Sequence, residues 1–291
     1  MGTAAQQAKS QEQTTVGTAA QQAKSQDQTK SQEAAAGDAA LNGADRVLAT
    51  LRLLGDFPDG IGLNDLAKRL NSPKSSIHRA LGALRRAGLV EQDRDGRYRL
   101  GYGFLKLAFS YYEDLDEISR IRPVLTDLAE RFGETAHYAV LDESEVVYLA
   151  KVQPAEARFQ MTSVIGGRNP AHCTGLGKTL LAYSLPDAAA VEEFVSRFGP
   201  LERRTEHTIV TAADLHRDLA QIRARGYGTD REESEPGINC LALPLFLTSD
   251  SRPDGAISVT AIAQRFPLDR LIAGVEDARA IVRKKLGEVI R

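Results

Sequence analysis

The chain has 291 residues, of which 42% are hydrophobic, and its formal net charge is −2 at pH 7. This length predicts about two domains with sizeable cores. No apolar run approaches the roughly 20 residues that span a bilayer, and the polar N-terminus is unlike a secretory signal, so we expect a cytoplasmic protein with no membrane partner. The only two cysteines, Cys173 and Cys240, argue against a disulfide scaffold and a C-x-x-C metal site. No cofactor is predicted, and five scattered histidines neither support nor exclude a metal.

The first 38 residues are unlike the rest. The segment GTAAQQAKSQEQT at 2–14 recurs as GTAAQQAKSQDQT at 17–29, and the copies differ only in Glu12 and Asp27. The segment lacks aromatic and almost all large aliphatic residues, so it cannot bury enough surface to offset the entropy of ordering. We predict that residues 1–38 are a disordered tail with a duplicated 13-residue segment.

The charge is unevenly distributed. Residues 44–100 hold 11 lysines and arginines against 7 acidic residues, whereas residues 101–291 hold 23 against 28. This asymmetry is typical of a nucleic-acid-binding module joined to a neutral or acidic sensor. The apolar spacing in ADRVLATLRLLGDF predicts a first helix that ends near Gly55.

Residues 61–86 have the pattern of a helix-turn-helix. A short amphipathic helix leads to a turn at Asn71 and Ser72, and Ser72 is positioned to cap a second helix with Pro73 at its first position. In that second helix Ile77, Leu81 and Leu84 share the inward face. Polar side chains crowd its exposed first turns, as a helix that enters the DNA major groove requires. These are Lys74, Ser75, Ser76, His78 and Arg79; a merely solvated polar face is the alternative.

A basic hairpin follows the second helix. Gly88 ends the helix, a strand begins at Leu89, and Asp95-Gly96 is a hairpin turn signal with Arg94 and Arg97 beside it. Such a hairpin after a helix-turn-helix is a wing, which contacts the DNA backbone or minor groove. The ordered combination predicts a winged helix-turn-helix DNA-binding domain over residues 39–102.

Residues 103–118 read as a linker helix, and residues 119–291 as a second domain. Leu105, Ala108 and Phe109 form a stripe too apolar for a solvated helix, so we expect the linker to pack against another subunit. In the second domain we predict strands at Thr135–Leu141, Glu145–Val152, 158–164, 238–247 and 255–262. A helix is predicted from Thr211, with a capping contact to Asp214, to Gly226, and a last one over 269–287.

Two enzymatic interpretations fail on the residues. The segment HCTGLGKT at 172–179 ends like a phosphate-binding loop, but His172 stands where the first glycine of that motif belongs. Cys240 lies in an apolar run with no base placed beside it, so it is more simply a buried residue than a nucleophile. We therefore predict that the protein is not an enzyme.

Motifs throughout residues 44–287 resemble those of the IclR-type bacterial transcription regulators. They are ADRVLATL, PKSSIHRALGALRRAGLV and YRLG, then GETAHYAVLD, NPAHCTGLGKTLLA, RTEHTI, IRARGYGTDREE and INCLALPLF. The resemblance implies an α+β chain: a winged helix-turn-helix, a linker helix and an effector domain related to the GAF and profilin folds, with a curved antiparallel sheet between helices. It also implies a ligand-responsive regulator of a catabolic operon, more simply a repressor, that binds a palindromic operator in double-stranded DNA as a homodimer or a dimer of dimers.

The resemblance places the effector between the GLGKT segment and the strands opposite it. The matching residues are Met161, Gly175, Leu176, Asp230, Cys240, Ser258 and Thr260. Leu176 departs from the small residue that the family has there. Hydroxyls and the amides at a helix start favour a small organic acid, such as a carboxylate. Asp230 would repel that anion unless it accepts a hydrogen bond from a ligand hydroxyl or is neutralised by a cation such as Arg231.

Overall fold

The computed structural model describes residues 42–154, 156 and 162–290. They belong to two compact units, which divide between Phe109 and Ser110. The predicted disordered tail, residues 1–38, lies outside the described residues. Within the described ranges, no helix combines the length and the apolarity that crossing a bilayer would require.

The first unit is three helices followed by a hairpin. The elements are α1 (Gly43–Leu54), α2 (Leu63–Arg69), α3 (Lys74–Arg86), β1 (Val90–Gln92) and β2 (Tyr98–Leu100). The two strands pair antiparallel, and Ile61, before α2, forms a bridge with Tyr98. The apolar stripes of the helices meet in one core that includes Leu54, Leu66, Ile77, Leu81 and Leu84. The predicted helix-turn-helix with a following hairpin is confirmed.

The start of α3 differs from the prediction. Ser72 does not cap it: the N-cap is Pro73, with no side-chain cap hydrogen bond. The Ser72 hydroxyl instead donates to the Leu70 carbonyl (2.9 Å), and its amide donates to the Ala67 carbonyl (3.0 Å). Ser72 is therefore used to close the turn after α2, and the predicted cap was wrong.

The segment predicted as one linker helix contains a break. Helix α4 spans Tyr102–Glu113, and α5 starts at Asp116 and runs to Phe132. Leu115 between them is extended and packs against the core of the second unit, which ends the first helix. Helix α4 has no buried residue and exposes large apolar side chains, namely Tyr102, Leu105, Leu107, Phe109 and Tyr111.

The second unit is built on a six-stranded antiparallel sheet. Its strands are β3 (Thr135–Asp142), β4 (Glu145–Val152), β5 (Arg168–Pro170), β6 (Gly228–Arg231), β7 (Ile238–Leu245) and β8 (Gly255–Ile262). Their order is β5-β4-β3-β8-β7-β6, and every neighbouring pair is antiparallel. Of the strand predicted over 158–164, residues 162–164 lie in no strand, and 158–161 are outside the described residues. The α+β prediction with an antiparallel sheet is confirmed.

Helices cover both faces of this sheet. One face packs on α5, α9 (Leu268–Ala273) and α10 (Val275–Leu286). The other packs on α6 (Gly175–Ser184), α7 (Ala188–Phe198) and α8 (Ala212–Arg225). Because side chains alternate along a strand, Ile257 and Val259 of β8 enter the first core, whereas Ser258 and Thr260 face the α6 side.

Two helix ends of the second unit bear on the predictions. Helix α8 starts as predicted, with Thr211 accepting from the Asp214 amide (3.1 Å), and ends at Gly226 with a left-handed φ of 75°. The last predicted helix, 269–287, is instead divided at Gly274 into α9 and α10. A Cβ at Gly274 would stand 2.5 Å from the ring of Phe132, so this tight junction accepts no larger residue.

Candidate functional site

The five residues predicted on the recognition helix lie along one accessible side of α3. Lys74, Ser75, His78 and Arg79 are exposed and Ser76 is half-buried. The opposite side of the helix is buried through Ile77, Ala80, Leu81 and Leu84. Because the core holds α3 by one face only, the charged and hydroxyl groups of its first two turns remain available to a partner.

The wing has a tight and well-braced tip. The Asp93 amide donates to the Arg97 carbonyl (2.9 Å) around a three-residue loop, and Gly96 takes a left-handed φ of 80° that the turn requires. Arg94 and Arg97 are exposed at this tip, and their contact with DNA stays a prediction.

A side-chain bridge connects the wing to α3. Arg85 donates to the Gln92 side chain (3.1 Å), and the Gln92 amide donates to the Gly96 carbonyl (3.2 Å). Sequence reasoning missed Arg85 and Gln92, because neither has a local signal: their pairing exists only once the hairpin folds back beside the helix.

In the second unit, two rows of residues cross the sheet on the α6 side. Strand register aligns Asp230, Cys240, Thr260 and Thr135 in one row from β6 to β3. The adjacent row runs from β7 to β4 through Ala242, Ser258, His137 and Lys151. Four of the predicted effector residues therefore share one surface, and His137 and Lys151 join them.

Helix α6 starts directly on top of the first row. A Cβ at Gly175 would lie 2.9 Å from the Cys240 sulfur and 3.4 Å from the Asp230 amide nitrogen. A Cβ at Gly177 would lie 2.3 Å from the backbone of Ala171. Both glycines of GLGKT are thus required by close packing, which explains them without a bound phosphate.

The lysine of GLGKT is engaged in a buried charge network. Lys178 is 2% exposed, and its ammonium contacts Glu233 (2.6 Å) and Asp218 (2.9 Å). Burial alone would lower the pKa of Lys178, but these two carboxylates outweigh it, so its pKa is raised. Burial raises the pKa of Glu233 to about 7. These contacts support the interpretation that this segment is not a nucleotide site.

Asp230 is occupied by the loop that follows it. Its carboxylate accepts from the Glu233 amide (2.7 Å) and from the Ser234 hydroxyl (2.5 Å), and burial raises its pKa. Arg231, considered above as its neutralising cation, instead pairs with Asp269 (3.3 Å). A role for Asp230 in effector binding stays a prediction, and its side chain already holds the β6–β7 loop in shape.

The hydroxyl groups are linked to a buried histidine. Thr260 Oγ1 lies 3.5 Å from Ser258 Oγ and 3.4 Å from His137 Nδ1, and His137 Nε2 lies 2.8 Å from Ser163 Oγ. Burial lowers the pKa of His137 to about 3, so its imidazole is neutral at physiological pH. The Tyr148 ring packs against it, with the two ring centroids 5.3 Å apart. Sequence reasoning missed His137, since only strand register brings it beside Ser258.

The other predicted effector residues are less directly placed. Burial raises the pKa of the Cys240 thiol to about 12, which leaves it protonated and supports its interpretation as a buried residue rather than a nucleophile. Leu176 packs in the apolar cluster between α6 and its neighbouring helices. Met161 lies outside the described residues. In the part of the chain that the structure describes, no group of His, Cys, Asp and Glu side chains could hold a metal ion.

Comparisons with known proteins agree with this architecture. A family profile described as the IclR helix-turn-helix domain matches residues 43–94, and one described as the bacterial transcriptional regulator IclR C-terminal domain matches residues 109–285. The transcriptional repressor IclR of Escherichia coli K12 is 32% identical over 229 residues, which cover 78% of this chain and 82% of that protein.

Solved structures share the fold. The crystal structure of the Thermotoga maritima IclR matches with a TM-score of 0.66 and 26% identity, over 86% of this chain and 98% of that one. A crystal structure of an IclR homolog from Microbacterium hydrocarbonoxydans, complexed with 4-hydroxybenzoate, matches with a TM-score of 0.69 and 24% identity, over 82% and 98% of the two chains.

Proposed function

The chain belongs to the IclR family of bacterial transcriptional regulators, which are DNA-binding proteins without enzymatic activity, and on that basis we propose that it represses a catabolic operon and responds to a small organic acid. The observation that carries the proposal is the division of polar groups between the two units: an exposed basic helix and wing in the first, and a buried set of hydroxyls and a neutral imidazole in the second. Since the proposed partner is DNA, the cytoplasm is the expected site of action.

The DNA half of the proposal rests on α3 and the wing. One recognition helix reads only a few base pairs, so two copies related by a two-fold axis are needed for a specific site. We therefore propose a palindromic operator. Arg79 and its neighbours on α3 would contact bases, and Arg94 and Arg97 would contact phosphates.

The proposed homodimer rests on α4. Three of its exposed side chains, Tyr102, Leu105 and Phe109, recur at helical spacing on one side of the helix, at 74%, 42% and 58% exposure, and form an apolar surface that water solvates poorly. A second copy of the same helix is the partner that would cover it in a homodimer. Assembly of two such dimers through the second units is also part of the proposal. Light scattering at micromolar concentration measures the mass of the assembly, and a monomer would contradict the proposed dimer.

The effector half rests on the two rows beneath α6. A small acid bound along them would find the Ser258 and Thr260 hydroxyls, the neutral His137 ring and the apolar edge of Tyr148. Such a site suits a ligand with a carboxylate, a hydroxyl and an apolar body. 4-Hydroxybenzoate, the ligand of the Microbacterium homolog, has this chemistry and is the first probe to use.

Two experiments test the proposal. Selection from a random DNA duplex library should enrich sequences with two inverted half-sites, and Arg79→Ala should abolish or relax the enriched pattern; no enrichment would contradict the DNA half. A thermal-shift screen of small catabolic acids should find one that stabilises the wild type more than it stabilises Ser258→Ala. An acid that stabilises both proteins equally would place the ligand elsewhere.

A further inference from the structure

One residue of the β4–β5 loop contacts two side-chain nitrogens at the edge of the second row. The Lys151 ammonium donates to the Ser163 backbone carbonyl (2.8 Å), while His137 Nε2 lies 2.8 Å from the Ser163 hydroxyl. Lys151 and His137 are direct partners across β4 and β3, so their side chains start from the same face. The two nitrogens therefore converge on two oxygens of a single residue, which is the arrangement that a carboxylate also offers.

The opposite end of the rows is rich in acidic groups. A Cβ at Gly175 would lie 2.9 Å from the Cys240 sulfur, so the start of α6 packs closely on this end. The Asp230, Glu233 and Asp218 carboxylates gather there around the single ammonium of Lys178. An incoming carboxylate would meet three acidic groups with only one ammonium among them.

Distance separates the two ends. Lys151 lies on β4 and Asp230 on β6, four strand spacings apart in the sheet order, or about 19 Å. An anion at Lys151 therefore avoids the carboxylates around Lys178. The Ser258 and Thr260 hydroxyls lie between the two ends, one strand from His137.

We propose that Lys151 and His137 form the subsite for the effector's carboxylate, which takes the place of the two Ser163 oxygens. The inference rests on the proposed function, because it assigns an orientation to the acid within that pocket. The anionic end lies at β4, and the rest of the molecule extends over Ser258 and Thr260 toward β7.

Lys151 supplies the charge and His137 a neutral hydrogen bond in this subsite. With Nε2 protonated, the imidazole donates to a ligand oxygen and can accept at Nδ1 from the Thr260 hydroxyl. Because Ser163 must leave its two contacts, the loop and the ligand compete. Loss of the Ser163 hydroxyl should therefore strengthen binding of an acid, whereas loss of the Lys151 charge should weaken it.

The test compares acids with their neutral amides on the full chain. Benzoate and 4-hydroxybenzoate, with benzamide and 4-hydroxybenzamide, are titrated into wild type, Lys151→Met, Lys151→Arg and Ser163→Ala, and Kd is measured by calorimetry. Lys285→Met removes a lysine whose partner is Asp127, on another part of the same unit, and serves as the matched control. Ser258→Ala reports on the pocket independently of its anionic end.

We expect Lys151→Met to weaken acid binding about tenfold relative to amide binding, which corresponds to about 1.4 kcal/mol. Lys151→Arg should retain the preference for acids, Ser163→Ala should tighten acid binding severalfold, and Lys285→Met should change neither ratio. An unchanged acid-to-amide ratio in Lys151→Met, with weaker binding in Ser258→Ala, would overturn the subsite and leave the proposed pocket standing. Acid binding that neither Lys151→Met nor Ser258→Ala affects would overturn both.

Discussion

The candidate binding groups of the two units lie in opposite environments, exposed in the first unit and buried in the second. On α3, residues close in sequence, such as Ser75 and Arg79, lie on the exposed side of a helix whose other face is buried. In the second unit, His137, Ser258 and Cys240 come from three strands and are almost fully buried. The polar residues of α3 lie outside the core of the first unit, whereas those of the second unit are buried within it.

In the first unit, the residues proposed to bind DNA therefore contribute little to stability. In the second unit, residues at the proposed binding site also contribute to stability. An exposed arginine on α3 makes no contact that the fold depends on, so its loss should reduce DNA affinity alone. A buried charge near α6 contributes to folding before any ligand arrives, since an uncompensated buried charge is costly. Substitutions of comparable chemistry should therefore have different consequences in the two units.

The largest effect is expected from Lys178→Met. Removal of this ammonium leaves the buried Glu233 and the half-buried Asp218 without their cation, which should cost about 3–5 kcal/mol of the free energy of unfolding. Urea denaturation followed by circular dichroism measures it. Lys285→Met, which breaks a half-exposed pair with Asp127, should cost at most about 1 kcal/mol. Equal losses in the two variants would contradict the view that the buried charge network of Lys178 is structural.

Arg79→Ala should have the opposite profile. We expect DNA affinity to fall by about 1–3 kcal/mol and specificity to relax, because a base contact is lost, while the urea midpoint stays within error of the wild type. Gel shifts on a selected operator duplex and on a scrambled duplex measure both quantities. Unchanged affinity for the operator would show that this face of α3 does not read DNA.

The pH dependence of stability should report on His137. Its pKa is lowered by burial from 6.5 to about 3, so the unfolded chain binds a proton in this interval that the folded chain does not. Its contribution to stability is present above pH 6.5 and is lost as the pH falls toward 3, with a slope of about 1.4 kcal/mol per pH unit.

The variant His137→Asn should remove that slope. Urea denaturation at a series of pH values below 6.5 gives the comparison, and the difference between the two slopes isolates the histidine from the carboxylates that titrate in the same range. Parallel stability curves for the variant and the wild type would mean that His137 is protonated in the folded chain.

The smallest effect is expected at the wing. Arg97→Ala should weaken binding to every duplex by a similar factor and reduce the slope of log affinity against log salt by about one unit, as the loss of a phosphate contact does. Fluorescence anisotropy over a range of salt concentrations measures the slope. A change in sequence preference without a change in slope would instead indicate that Arg97 reads bases.

The sequence predicted the binding surface of the first unit better than that of the second unit. The recognition helix and wing could be predicted because their signals are local: Ile77, Leu81 and Leu84 repeat at helical spacing, and Asp95-Gly96 marks the hairpin. The α6 side of the sheet was reached only through family resemblance, which supplied Cys240 and Ser258 but not His137 or Lys151. Those two enter through the pairing of β3 with β4 and β8, and register between distant strands leaves no mark in either segment alone.

Local signals also misled where a side chain had two possible uses. Ser72 stands in the right place to cap α3, yet its hydroxyl closes the preceding turn instead. Arg231 is adjacent to Asp230 in sequence, but successive strand residues face opposite sides of the sheet, and Arg231 pairs with Asp269. In both cases the competing partner is decided by the tertiary structure, which short-range patterns do not contain.

The most direct test of a ligand-responsive regulator is to measure the coupling between the two units. Operator affinity is determined by fluorescence anisotropy on the selected duplex, with and without a saturating concentration of the acid found in the screen, for wild type and for Ser258→Ala. We expect the acid to change the wild-type affinity by about 5–150-fold, or 1–3 kcal/mol, and to change that of Ser258→Ala much less at the same concentration. An operator affinity that the bound acid leaves unchanged in the wild type would contradict the account.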